Sequence, residues 1–165
     1  MYDVTIHRNI RIRLHKFIDY FIGFEKVESV RKLFGEETEK ILNELKVEFY
    51  SSRWGYMSVN DEDGHIIISS YYLGHGKESD IYLDIIHELN HIKQYREGKK
   101  LFDDRYAYVD RPTEIEAYQT TVYEAKKIGM TDEQIIEYLK TEWMNDDDLH
   151  KLSEILGLNS RQMNK

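Results

Sequence analysis

The pentad His87-Glu88-Leu89-Asn90-His91 sets two imidazoles and a carboxylate at a spacing that suits metal-assisted hydrolysis. On a helix, residues i and i+4 share a face one turn apart, so both rings reach one ion. Glu88 projects from the same turn toward the open side of that ion, where a carboxylate can take a proton from water. A catalytic zinc keeps three protein ligands and one open position. The chain has no cysteine, so the third ligand is a His, Asp or Glu.

The elements that must position these groups are legible around them. Residues 79–98 read as one helix, with Ser79 or Asp80 as its N-cap and Gly98 as its stop. Ile81, Ile85, Leu89 and Ile92 fall at helical spacing and predict a buried stripe, so the pentad sits mid-helix. A second helix is predicted from Pro112, a residue suited to a first turn, to Gly129, a natural C-terminal stop. Two carboxylates, Glu114 and Glu116, stand in its opening turns. They lie about 200° apart around the helix axis, so only one of them can face the pentad. For Glu116 the alternative reading is a solvated carboxylate or a salt-bridge partner of Arg111. The metzincin continuation is absent, because His91 is followed by Ile-Lys-Gln-Tyr-Arg.

His87-Glu88-x-x-His91 followed by Glu114-x-x-Ala117 resembles the gluzincin metallopeptidases. The short spacing and small chain are most similar to the compact archaeal minigluzincins, over roughly residues 45–130. The resemblance implies one zinc per chain held by His87, His91 and Glu114, with Glu88 as general base in peptide hydrolysis. It further implies a small antiparallel sheet whose edge strand holds substrate, and a latent form in which a chain segment blocks the cleft. Two departures stand out. Many relatives carry Asp or Asn four residues after the glutamate, where this chain has Tyr118, and residues 1–45 exceed the minimal domain.

Other residues are candidates for supporting roles. Tyr106, Tyr108, Tyr123 and His150 are possible donors to a developing oxyanion. Asp84, one turn before His87, either accepts the second ring N–H of a ligand histidine or, as the simpler reading, faces solvent. Tyr118 reads as a half-buried packing residue. His65 and His75 lack partners at ligand spacing and read as strand-end and turn residues, His75 lying near enough in sequence to line the cleft. Asn145-Asp146-Asp147-Asp148 reads as a helix cap, with a sharper alternative in which one carboxylate fills the fourth zinc position.

The remaining pattern predicts an α+β chain of one domain, with a helical segment at 1–45, a peptidase core at 46–130 and C-terminal helices at 131–165. The apolar pattern through residues 6–24 predicts a first helix with a basic end, followed by helices at 27–34 and 36–46. Strands at 47–50, 56–59 and 65–72 predict a three-strand antiparallel meander, the last being the expected edge beside the metal. Thr131-Asp132-Glu133-Gln134 is a capping box that opens a helix to about Trp143, and a short helix at 148–156 ends the pattern. A net charge of −8 argues against general nucleic-acid binding. No stretch is long and apolar enough to span a bilayer and no signal-peptide layout is evident, so a cytoplasmic location is expected, with no membrane partner. Three functions compete. They are a zinc endopeptidase acting on flexible or unfolded polypeptides, a regulatory ImmA/IrrE-like protein that cleaves or binds one partner through residues 1–45, and a structural zinc module. The third has no use for Glu88.

Overall fold

The computed structural model describes residues 4–6 and 12–159. It is an α+β structure, built on a four-strand mixed sheet with helices on either side of one central helix. Strands β1 (Leu14–Lys16), β2 (Lys46–Tyr50), β3 (Met57–Val59) and β4 (Ile66–Ser69) lie in the order β1-β2-β4-β3. The β2–β4 pair is parallel, and the β1–β2 and β3–β4 pairs are antiparallel. Helices follow as α1 (Glu28–Phe34), α2 (Thr38–Glu44), α3 (Ser70–His75), α4 (Glu78–Arg96), α5 (Pro112–Lys127), α6 (Asp132–Leu139) and α7 (Asp146–Ile155).

Three expectations are corrected here. The sheet has four strands and is mixed, not a three-strand antiparallel meander. The helix expected over 6–24 is not one: Leu14–Lys16 forms β1, and Phe17–Asp19 and Phe24–Lys26 are short 3-10 turns. The basic positions Arg8 and Arg11 of that stretch lie outside the described residues. Its apolar spacing serves an aromatic cluster instead, with Phe17 centred 5.0 Å from Phe21 and 5.8 Å from Phe24. Finally, β4 is an interior strand, and the sheet edge beside the helix that carries His87 and His91 is β3. The strand pattern expected to run to residue 72 ends at Ser69, whose hydroxyl accepts the Tyr72 N–H and turns the chain into α3.

Helix α4 is the axis of the molecule. It starts from Lys77 without a side-chain cap, two residues before Ser79, the first of the two N-caps that the sequence suggests, and Glu78 and Asp80 suit its positive end. Gly98, at φ +76°, lets the Lys99 N–H return to the Gln94 carbonyl, and Gly129, at φ +91°, lets Met130 reach Ala125. One face of α4 (Ile85, Ile86, Leu89, Ile92) joins the sheet, α1 and α2 in a single apolar cluster. Leu83 joins α5, α6 and α7 in a second. Residues Phe17, Phe21, Phe24, Val30, Phe34, Ile41 and Leu42 belong to the first cluster, so this part of the N-terminal segment is built into the core. Glu124 of α5 accepts from Tyr82 of α4 (2.7 Å) and from Ser29 of α1, tying three helices together at a buried carboxylate.

The C-terminal expectations hold with shifted ends. The Thr131–Gln134 capping box is present, but α6 stops at Leu139 and not Trp143. Among the described residues, no helix is long and apolar enough to cross a membrane.

Because Ile85 is fully buried against the sheet, Ile85→Ala removes packed methyl groups and leaves a cavity. A loss of about 2–5 kcal/mol in unfolding free energy is expected from urea denaturation.

Candidate metal centre

The ladder of α4 against α5 brings three donor atoms to one point. His87 and His91 stand one turn apart on α4, and Glu114 faces them from the first turn of α5, where Pro112 occupies the opening position. His87 Nε2 lies 3.1 Å from His91 Nε2, and Glu114 Oε2 lies 3.2 Å from the first and 3.5 Å from the second. All three residues are buried, and together they form a group that could hold a metal ion. Two imidazole nitrogens this close cannot both present lone pairs unless a proton or a cation lies between them. Donors bound at about 2.0–2.1 Å in a tetrahedron stand about 3.3 Å apart, so the three spacings suit a small four-coordinate cation.

The electrostatics follow from burying these groups together. Burial pushes His87 down from its ordinary value. His91 is also opposed by burial, yet its contact with Glu114 raises it to about 9. Burial works against Glu114 as well, but the two rings hold its carboxyl well below the usual carboxylate range.

Glu116 is not a ligand. It points away from the three donors toward the C-terminal turn of α4, where its carboxylate meets Lys99 at 2.9 Å and accepts from Gln94 Nε2 at 2.9 Å. The partner expected for it, Arg111, instead lies 3.7 Å from Glu114 Oε1. Gln94 is a supporting residue that motif reasoning missed. Its Nε2 is committed to the Thr113 carbonyl and Glu116, so its Oε1 faces His91 Nδ1 at 2.7 Å. That contact fixes the tautomer with Nε2 free toward the metal position. The only sequence signal was a Gln one turn past His91 on a buried helix.

His87 has no such support, because its Nδ1 is buried without a partner among the described residues. Tyr118, one turn beyond Glu114 on α5, packs its ring 4.5 Å from the His87 ring and shares a 2.7 Å hydrogen bond with the Tyr108 hydroxyl. It is more buried than the sequence suggested. Asp84 neither supports His87 nor faces solvent freely: half-buried, it accepts the hydroxyls of Tyr72 (2.5 Å) and Tyr138 (2.6 Å).

Glu88 lies beside the metal position with one carboxylate oxygen buried and without a partner among the described residues. Burial pushes its carboxyl up to about 8, with Glu114 and Asp84 adding to that and His91 opposing it. A cleft of about 200 Å³ opens over the three donors, lined on one side by β3 and on the other by Phe102, Tyr108, Arg111 and Trp143. Of the four expected oxyanion donors only Tyr108 lines it. Tyr106 sits under Arg105, Tyr123 meets Lys32 on the outer face of α5, and His150 pairs with Glu154 on α7.

The remaining expectations resolve locally. His65 binds Asp63 (2.5 Å) and Glu48 (2.8 Å) through its two ring nitrogens and so braces the start of β4. His75 ends α3, stacked on Tyr71, and lines a separate hollow. Asn145 caps α7 by accepting the Asp148 N–H, and the cleft wall from this region is Trp143, not an aspartate in the fourth ligand position.

Comparison of the chain with protein-family models, with curated proteins and with solved structures finds no match in any of the three.

Proposed function

We propose that this protein is a zinc-dependent endopeptidase of gluzincin type that hydrolyses flexible or unfolded polypeptides. The observation that carries the reading is the convergence of His87, His91 and Glu114 within 4.8 Å, with the unpartnered Glu88 carboxylate in the same cleft. A structural site would have no use for that buried carboxylate.

When bound, zinc supplies an acidified water and polarises a carbonyl. Glu88 takes the proton from the attacking water and hands it to the leaving amine. Tyr108 and Arg111, on the rim of the same cleft, are the groups able to donate to a developing oxyanion. Gln94 holds the His91 ring in the orientation this requires.

Substrate is held on β3. Its register with β4 is Met57↔Ile68, Ser58↔Ile67 and Val59↔Ile66, flanked by the bonds Ser69 N–H to Tyr56 O and Asn60 N–H to His65 O. Alternation along an antiparallel pair therefore turns Ser58 toward β4 and leaves Met57 and Val59 with outward N–H and C=O groups. An extended peptide pairing there lies across His87 and Glu88, and main-chain pairing demands an unfolded substrate.

The test is hydrolysis of an unfolded protein before and after chelation. Cleavage that disappears with chelator and returns with zinc supports the proposal; a zinc-loaded protein with no hydrolysis overturns it. Met57→Pro deletes one outward donor and should turn over peptides about 5–10-fold more slowly than Met57→Ala, the cost of roughly one hydrogen bond. Folding of both variants is verified by near-ultraviolet circular dichroism, and equal rates would remove β3 from substrate binding.

A further inference from the structure

The cleft over the metal position continues along α4 toward its N-terminus into a second space of about 200 Å³, with Met57, His87, Glu88, Tyr108 and Trp143 shared between the two. That volume is below what a drug-sized ligand needs and suits one long side chain. Its walls are unusual in combining aromatic rings with acids. Tyr56, Tyr72, Tyr108 and Trp143 surround it, Asp80, Asp84 and Glu137 contribute carboxylates, and among the described residues Lys140 is the one cation in the lining.

Asp84 is held as a fixed acceptor. The Tyr138 and Tyr72 hydroxyls each take one of its oxygens, which locks the side chain and leaves each oxygen a further lone pair. Glu88 and His87, only 6% and 7% exposed, line the same space, and each carries a buried polar atom, a carboxylate oxygen and a ring nitrogen, with no hydrogen-bond partner among the described residues. A buried polar atom without a partner calls for a ligand or water to complete it.

Position along the helix sets which part of a substrate arrives here. Asp84 precedes His87 by three residues and Glu88 by four, so it sits about 5 Å along the axis from the reacting groups. Successive residues of an extended peptide advance about 3.3–3.4 Å, and their side chains alternate. The space thus receives a side chain within one or two residues of the bond being broken.

We propose that this space is a specificity subsite for a cationic side chain, lysine or arginine, flanking the scissile bond, with Asp84 as its charge partner. The proposal rests on the peptidase reading above and adds its substrate class. A long aliphatic stem runs past Tyr56 and Trp143, and the cationic head meets Asp84 and the ring faces, which attract cations most when shielded from water.

Binding tests it without relying on turnover. The Glu88→Gln protein is titrated with pentapeptides blocked at both ends, identical but for a central Lys, norleucine or Glu. The Lys peptide should bind at least ~10-fold more tightly than the norleucine peptide and the Glu peptide most weakly, a tenfold step being about 1.4 kcal/mol. Adding Asp84→Asn should reduce the Lys-to-norleucine ratio to within about 2-fold, and 0.5 M NaCl should shrink it in the parent background. Equal affinities, or a ratio untouched by Asp84→Asn, overturn the proposal. So does a norleucine peptide that binds tightly only with a free amino terminus, since the site would then read a chain end. If Asp84→Asn fails to fold, the peptide ranking and its salt dependence decide the matter alone. Hydrolysis of the Lys peptide by zinc-loaded parent protein is read separately: its absence overturns the peptidase reading, while the binding ratio still decides the subsite.

Discussion

Glu88→Gln protein should bind zinc as the parent does and hydrolyse unfolded substrates at least ~100-fold more slowly, the lower range for loss of a general base. Glutamine matches glutamate in shape and keeps a polar atom in the cleft, but it cannot take a proton from water. The expectation is sharp because, among the described residues, Glu88 hydrogen-bonds none of the three donors and has a buried oxygen with no partner. Burial raises its carboxyl, and a bound divalent ion should favour the ionised, proton-accepting form. Hydrolysis rates measured on proteins of matched zinc content check this. Equal rates would leave Glu88 without a catalytic role.

Removal of any one ligand should empty the site. His87→Ala, His91→Ala and Glu114→Ala each leave two donors where a zinc site needs three, and each variant should purify with little or no zinc. Glu116→Ala should keep stoichiometric metal, because that carboxylate faces Lys99 and Gln94. Gln94→Ala should fall between, weakening zinc binding by about 10–100-fold through the freed His91 ring. Metal analysis after dialysis reads all five variants. Thermal unfolding gives a second readout: added zinc should raise the Tm of the parent and of Glu116→Ala but not of Glu114→Ala. Stoichiometric zinc in either histidine variant would overturn the ligand assignment.

Much of the candidate site was legible in the chain because it depends on local geometry. The i, i+4 relation of His87 and His91 needs only a helix, and the buried stripe through Ile85, Leu89 and Ile92 with the Gly98 stop predicts one. Pro112 and Gly129 bracket α5 in the same way. What failed were the statements that depended on partners distant in sequence. Leu14–Lys16 became a strand because β2, some thirty residues on, offers it backbone hydrogen bonds, and its apolar spacing could not distinguish that from a helix turn. Strand β4 moved from the edge to the interior because β2 pairs with it in parallel, a long-range choice with no local signature.

The sequence by itself determined the chemistry available: two imidazoles and a carboxylate base on one helix, and a second helix opening with two glutamates. The Glu114-x-x-Ala117 register already pointed to Glu114 over Glu116, and the rotation of α5 against α4, set by the packing between them, is what turns that carboxylate onto the two histidines. The same packing turned Asp84 into a tyrosine-held acceptor in the cleft wall and recruited Gln94, Arg111 and Trp143 around the centre. Helical periodicity is encoded within a few residues, whereas the facing of one element toward another follows from the whole set of buried contacts, which no local segment contains.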